Sequence, residues 1–103
     1  MSLDQVKIPD TVVEVTGPRN THKIFLATLS TCMWCKRGKQ WLNDNGYAYS
    51  YVDIDILSVK EKNNIKKQLQ SAFGVRPRFP FIVVDRMFWN SGYNTEEWEE
   101  MLK

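Results

Sequence analysis

Both cysteines of this chain stand in one run, Cys32-Met33-Trp34-Cys35, just after a short apolar stretch, Ile24 to Ala27. That arrangement constrains the fold more than any other feature. Residues three apart share a helix face, so a strand-to-helix junction here holds both thiols within disulfide reach. Ile24 to Ala27 is a continuous apolar run bounded by polar residues, which predicts a buried central strand. It leads into Ser30-Thr31-Cys32, where a hydroxyl residue can cap a helix from about Met33 to Asn45, stopped by Gly46. Trp41 and Leu42 then face the core.

The remaining elements follow from periodicity. Thr11 to Val15 alternates weakly, which leaves an extra N-terminal strand open, and Gly17-Pro18-Arg19-Asn20 reads as a turn. From Tyr47 to Asp53, Tyr47, Tyr49 and Tyr51 alternate with Ala48, Ser50 and Val52, the period of a strand. Ser58 and Glu61 form a capping box, Ile65, Leu69, Ala72 and Phe73 mark one face of the helix behind it, and Gly74 ends that helix. Phe81 to Val84 is a short buried run, Asp85-Arg86 a tight turn, and Met87 to Trp89 its hairpin partner. Asn94 and Glu97 offer a second capping box ahead of Trp98, Met101 and Leu102. The order is β-α-β-α-β-β-α, an α/β class. Residues 1–22 read as an N-terminal extension and 23–103 as one domain.

Composition narrows the function classes. With 103 residues, 43% of them hydrophobic, the chain fills one core and not two. The first ten residues lack an apolar run with a cleavage site, and no segment is apolar enough to span a bilayer, so the expected setting is cytoplasmic, with no membrane partner. Lys and Arg exceed Asp and Glu by only 14 to 12, too near balance to argue for nucleic acid. Basic residues do gather around the cysteines and a later proline turn: Lys36, Arg37, Lys39, Arg76 and Arg78.

A thiolate, not a thiol, attacks a disulfide, so a redox cysteine needs a lowered pKa and access to solvent. Cys32, at the first turn of a helix, meets unpaired N–H groups and the positive end of the helix dipole, and three basic side chains stand nearby. Together these are expected to move it from about 8.5 toward the range of roughly 3.5 to 7.5. Cys35 lies one turn deeper. The expected cycle has Cys32 attack a substrate disulfide and Cys35 then resolve the mixed disulfide, leaving an internal disulfide that an outside reductant must reopen. A zinc site in one chain needs about two more ligands, and His22 is the only histidine. No resident metal is expected.

The Thr31-Cys32-Met33-Trp34-Cys35-Lys36-Arg37 run, with the strand before it and the later Arg78-Phe79-Pro80, resembles glutaredoxins of the thioredoxin-fold superfamily over roughly residues 23 to 102. The resemblance implies a mixed central sheet flanked by helices. It also implies a cis proline beside the cysteines, at Phe79-Pro80, where the backbone of Phe79 offers an edge to an extended substrate. The alternative is that Pro80 merely starts a strand. Glutaredoxins carry a glycine-containing turn before the last helix that holds the γ-glutamyl end of glutathione. Ser91-Gly92-Tyr93-Asn94-Thr95 matches it in place, with Ser91 where a first glycine is usual; a turn at Gly92 and a helix cap at Asn94 suffice without any ligand.

Two departures stand out. Leu29 occupies the position three before Cys32 where many glutaredoxins have a lysine for a glutathione carboxylate; Arg76 or Arg78 could supply that charge, or each could be a solvated loop residue. Met33-Trp34 replaces the frequent Pro-Tyr pair, which makes Trp34 either an exposed platform for a peptide or thiol or a residue packed on Pro80 or the last helix. The expected function is a glutaredoxin-like disulfide reductase working through Cys32 and Cys35. Its expected partners are disulfide-bearing proteins or small thiols, with glutathione or a reductase as electron donor, no tightly bound cofactor and a monomeric state. The alternative is an iron–sulfur cluster carrier in which Cys32 of two chains and an exogenous thiol supply the ligands.

Overall fold

A computed structural model describes residues 2–103 of the chain. Five strands form one sheet: β1 (Val13–Val15), β2 (Ile24–Thr28), β3 (Tyr49–Asp53), β4 (Phe81–Val84) and β5 (Phe88–Ser91). Helix α1 (Met33–Asp44) joins β2 to β3, α2 (Val59–Phe73) joins β3 to β4, and α3 (Thr95–Met101) follows β5. The strand order is β1-β3-β2-β4-β5, with β2 and β3 parallel and the other neighbours antiparallel, so the sheet is mixed. The N-terminal strand that weak alternation left open is β1, on one edge.

Every residue of β2 is buried, as its unbroken apolar run requires of a strand covered on both faces. On one face Phe25, Val52, Phe81 and Val83 meet Ile65, Leu69 and Phe73 of α2. On the other, Leu26, Tyr49, Ile82 and Val84 meet Leu42 of α1 and Trp98 and Leu102 at α3. The alternation read in β3 is the reason: Tyr49 and Tyr51 serve one layer, Val52 the other. Leu3 and Val6, ahead of β1, are buried in the α2 layer.

Local chemistry sets the boundaries. Asn45 caps α1 by donating from Nδ2 to the Trp41 carbonyl at 2.8 Å, so the helix ends one residue sooner than its periodicity predicts, and Gly46 turns away at φ +73°. Ser58 caps α2, its Oγ accepting the Glu61 N–H at 3.2 Å while its hydroxyl, rather than its backbone N–H, donates to the Glu61 carboxylate, and Gly74, at φ +69°, ends the helix. β3 starts at Tyr49 rather than Tyr47, because Tyr47 and Ala48 are taken up in an isolated bridge to Arg19.

The hairpin differs from its sequence reading by a residue. Asp85 and Arg86 both adopt left-handed φ, 52° and 66°, and Met87 closes the turn by donating to the Val84 carbonyl. Because Val84 pairs with Phe88, Met87 belongs to the loop, and β5 runs on to Ser91. Side-chain oxygens hold the unusual backbone in place: Asp85 accepts from Lys23 N–H at 2.9 Å and pairs with His22 Nδ1 at 2.7 Å. No helix among the described residues is long and apolar enough to cross a membrane.

Candidate active site

The cysteines lie where β2 hands over to α1. Cys32 is itself the N-cap of the helix, and its Sγ accepts the Cys35 N–H at 3.2 Å, so sulfur fills the role that a hydroxyl residue was expected to play. The loop that presents it is anchored from the side. Ser30 donates both its N–H and its hydroxyl to Asp55, and these bonds, the hydroxyl first, hold the Asp55 carboxyl below the usual carboxylate value. Cys32 is half-buried.

Cys35 has no exposed surface. Its thiol is pushed up to about 12, chiefly by burial and next by its hydrogen bond with Cys32; the Leu29 N–H, 3.4 Å from its Sγ, and the charge of Lys39 act against that rise. The two sulfurs are therefore unlike each other: one at the mouth on a helix cap, the other sealed behind it and protonated at neutral pH.

Facing Cys32 is the peptide bond Phe79–Pro80, which is cis. The Phe79 carbonyl lies 4.0 Å from Cys32 Sγ. The Pro80 carbonyl accepts the Gly92 N–H at 3.0 Å, and Arg78 N–H donates to Ser91 Oγ at 2.7 Å, so the proline loop and the turn before α3 are stitched together. In that turn Gly92 takes φ +95°, and Asn94 Oδ1 caps α3 by accepting from Glu97 N–H, leaving Thr95 as its first residue.

Trp34 is 51% exposed and stacks on Tyr93, in the turn before α3, centroids 5.5 Å apart. The Arg37 guanidinium sits 5.0 Å from the Trp34 ring, a cation–π contact. Lys39 turns inward: its ammonium bonds Asp53 at 3.1 Å and lies over the Tyr51 ring, and its charge acts on Cys35. Arg76 and Arg78 are exposed and wall a groove floored by Trp89, Asn90 and Ser91, whose lining includes neither cysteine. Among the described residues no group of three or more histidine, cysteine or acidic side chains is placed to hold a metal ion.

Two features of the site escaped the sequence reading. Behind Cys35, Thr28 Oγ1 stands between the Val52 carbonyl and the Asp53 carboxylate that Lys39 also holds, a polar cluster joining three elements. Gly38 lies one turn beyond Cys35, where a Cβ would come within 2.7 Å of the Trp98 ring and 3.4 Å of Pro80. A glycine in the middle of an amphipathic helix was the available signal for such a close approach.

Comparison with known proteins follows the same lines. A family model described as Glutaredoxin matches residues 24–89. Among solved structures, a glutaredoxin from Methanosarcina mazei Go1 is similar, with 28% identity and a TM-score of 0.75 over 94% of this chain and 95% of that one. A methanoredoxin from Methanosarcina acetivorans is 32% identical, TM-score 0.71, over 81% and 86%. A glutaredoxin from Archaeoglobus fulgidus is 27% identical, TM-score 0.69, over 81% and 88%. No curated protein matches.

Proposed function

Since the chain belongs to the glutaredoxin family, we propose that it reduces disulfides by a dithiol cycle through Cys32 and Cys35. The observation that carries this reading is the inequality of the two sulfurs: Cys32 at a helix cap with a backbone N–H on its Sγ, Cys35 fully buried.

In this cycle the Cys32 thiolate attacks a substrate disulfide, forms a mixed disulfide and releases one substrate thiolate. Cys35 then gives up its proton and attacks Cys32 Sγ, which expels the second thiolate and leaves an internal disulfide. Two electrons from glutathione or a reductase reopen it. Phe79 presents its backbone to the substrate beside Cys32, and the stacked Trp34 and Tyr93 form an apolar shelf on the other side. The turn Gly92 to Thr95 is suited to the γ-glutamyl end of glutathione, and Arg76 and Arg78 draw anionic partners toward the rim. The protein works in this reading as a cytoplasmic monomer.

The test is turnover of hydroxyethyl disulfide and of a peptide disulfide with each donor supplied separately. Cys32→Ser is expected to abolish turnover, and Cys35→Ser to accumulate a mixed disulfide that mass spectrometry detects. Full activity in Cys32→Ser would overturn the mechanism.

A further inference from the structure

The two edges of the sheet are built differently. β1 is three residues long and carries Glu14 at its centre, a charge of the kind that discourages strand addition. β5, Phe88-Trp89-Asn90-Ser91, carries no charge, and Phe88 and Trp89 are 58% and 37% exposed. Its backbone is directed as well. The Gly92 N–H bonds the Pro80 carbonyl, and β4 and β5 pair antiparallel with Ile82 opposite Asn90 and Val84 opposite Phe88. Hydrogen-bonded pairs alternate along such a ladder, so Phe88, Asn90 and Gly92 turn their backbone groups toward β4. Trp89 and Ser91 therefore turn theirs outward, at the two-residue spacing a further strand requires.

Beside this edge the Arg76-Pro77-Arg78 loop forms a wall, with Trp89, Asn90 and Ser91 as the floor. Neither arginine is paired with a carboxylate among the described residues. Trp89 lies flat against Phe81, centroids 5.8 Å apart and planes 4° from parallel, so the floor presents an aromatic face to the groove. The groove thus combines two unneutralised cations, an aromatic floor and a free ladder. We propose that β5 is a docking edge for an extended acidic polypeptide segment, which adds as a strand to Trp89 and Ser91 and sets its carboxylates on Arg76 and Arg78. A second copy of this chain is disfavoured as the occupant, because two such edges side by side would bring four arginines together. The proposal names the partner class for the reductase proposed above and rests on that reading only for its purpose.

The probe is a short fluorescein-labelled peptide of alternating glutamate and valine, titrated with the reduced full chain and followed by anisotropy. Saturable binding is expected, weakened roughly tenfold or more in Arg76→Glu/Arg78→Glu. Peptides with lysine for glutamate, or proline for valine, are expected not to bind. The amide resonances of Trp89 and Ser91 should shift on binding. Cys32→Ser, which removes reduction, should bind as the wild type does, so the docking edge and the redox cycle can fail separately. Absence of binding, equal affinity in the charge-reversed variant, or shifts confined to Val13–Val15 would overturn the proposal. So would a dimer in sedimentation equilibrium that Trp89→Lys dissolves, since that assigns the edge to a second copy.

Discussion

Cys35 has no exposed surface, and its thiol is pushed from the ordinary 9.0 up to about 12, so at neutral pH it holds its proton while Cys32 meets the solvent. Iodoacetamide at neutral pH is therefore expected to label Cys32 alone, with Cys35 reacting only on unfolding; peptide mapping of the alkylated protein checks this. The same shift has a stability consequence with a definite sign. Below pH 9 both the folded and the unfolded chain keep the Cys35 proton, and the thiol's contribution is fully present. Between about 9 and 12 the unfolded chain loses that proton while the folded one retains it, so stability falls as pH rises through this window. Denaturant midpoints of the reduced protein should show this decline, and Cys35→Ala should flatten it. Trp34 makes its contribution outside the sulfur chemistry. Its exposed ring, stacked on Tyr93, is expected to bind substrate side chains, so Trp34→Ala should raise KM for a peptide disulfide several-fold, about 1 kcal/mol, and leave kcat nearly unchanged.

Helix α1 is positioned against α3 and the proline loop through Gly38. A methyl group there would come within 2.7 Å of the Trp98 ring and 3.4 Å of Pro80, so α1 would have to lift from the layer that fixes Cys32 opposite Phe79. Gly38→Ala is accordingly expected to destabilise the protein by about 1–3 kcal/mol and to lower turnover by more than the unfolded fraction explains. Urea titration and kinetics on the folded fraction separate the two effects. The elements themselves were legible in the sequence, because apolar runs and capping boxes are local: Ile24–Ala27, Ser58 with Glu61, and Asn94 with Glu97 each carry their own signal. What escaped depends on distant residues. Nothing near Tyr47 announces that Arg19 will bond the Gly46 carbonyl and the Ala48 N–H on either side of it, and nothing near Lys39 says that its ammonium will find Asp53 on a neighbouring strand. The hairpin slipped by one residue because Asp85 and Arg86 hold left-handed backbone without glycine, supported by His22 and Lys23 from the far end of β2.

At the scale of the whole molecule, the sheet separates two cores, and the α2 side is completed by residues from the start of the chain. Leu3 and Val6 pack with Phe25, Phe73 and Val83, and Lys7 N–H bonds Gln68 of α2 at 2.9 Å. Leu3→Ala should therefore behave as a core truncation, lowering unfolding free energy by about 2–4 kcal/mol in urea titrations while leaving Cys32 alkylation unchanged. The same segment is tied to the β4–β5 hairpin: Leu3 N–H donates to the Arg86 carbonyl, and Asp4 pairs with the Arg86 guanidinium. Leu3 and Val6 are synthesised ahead of Phe73, Val83 and Arg86, so they wait, uncovered, until those residues have been made, and closing the α2 core is a non-local event that joins residues far apart in the sequence.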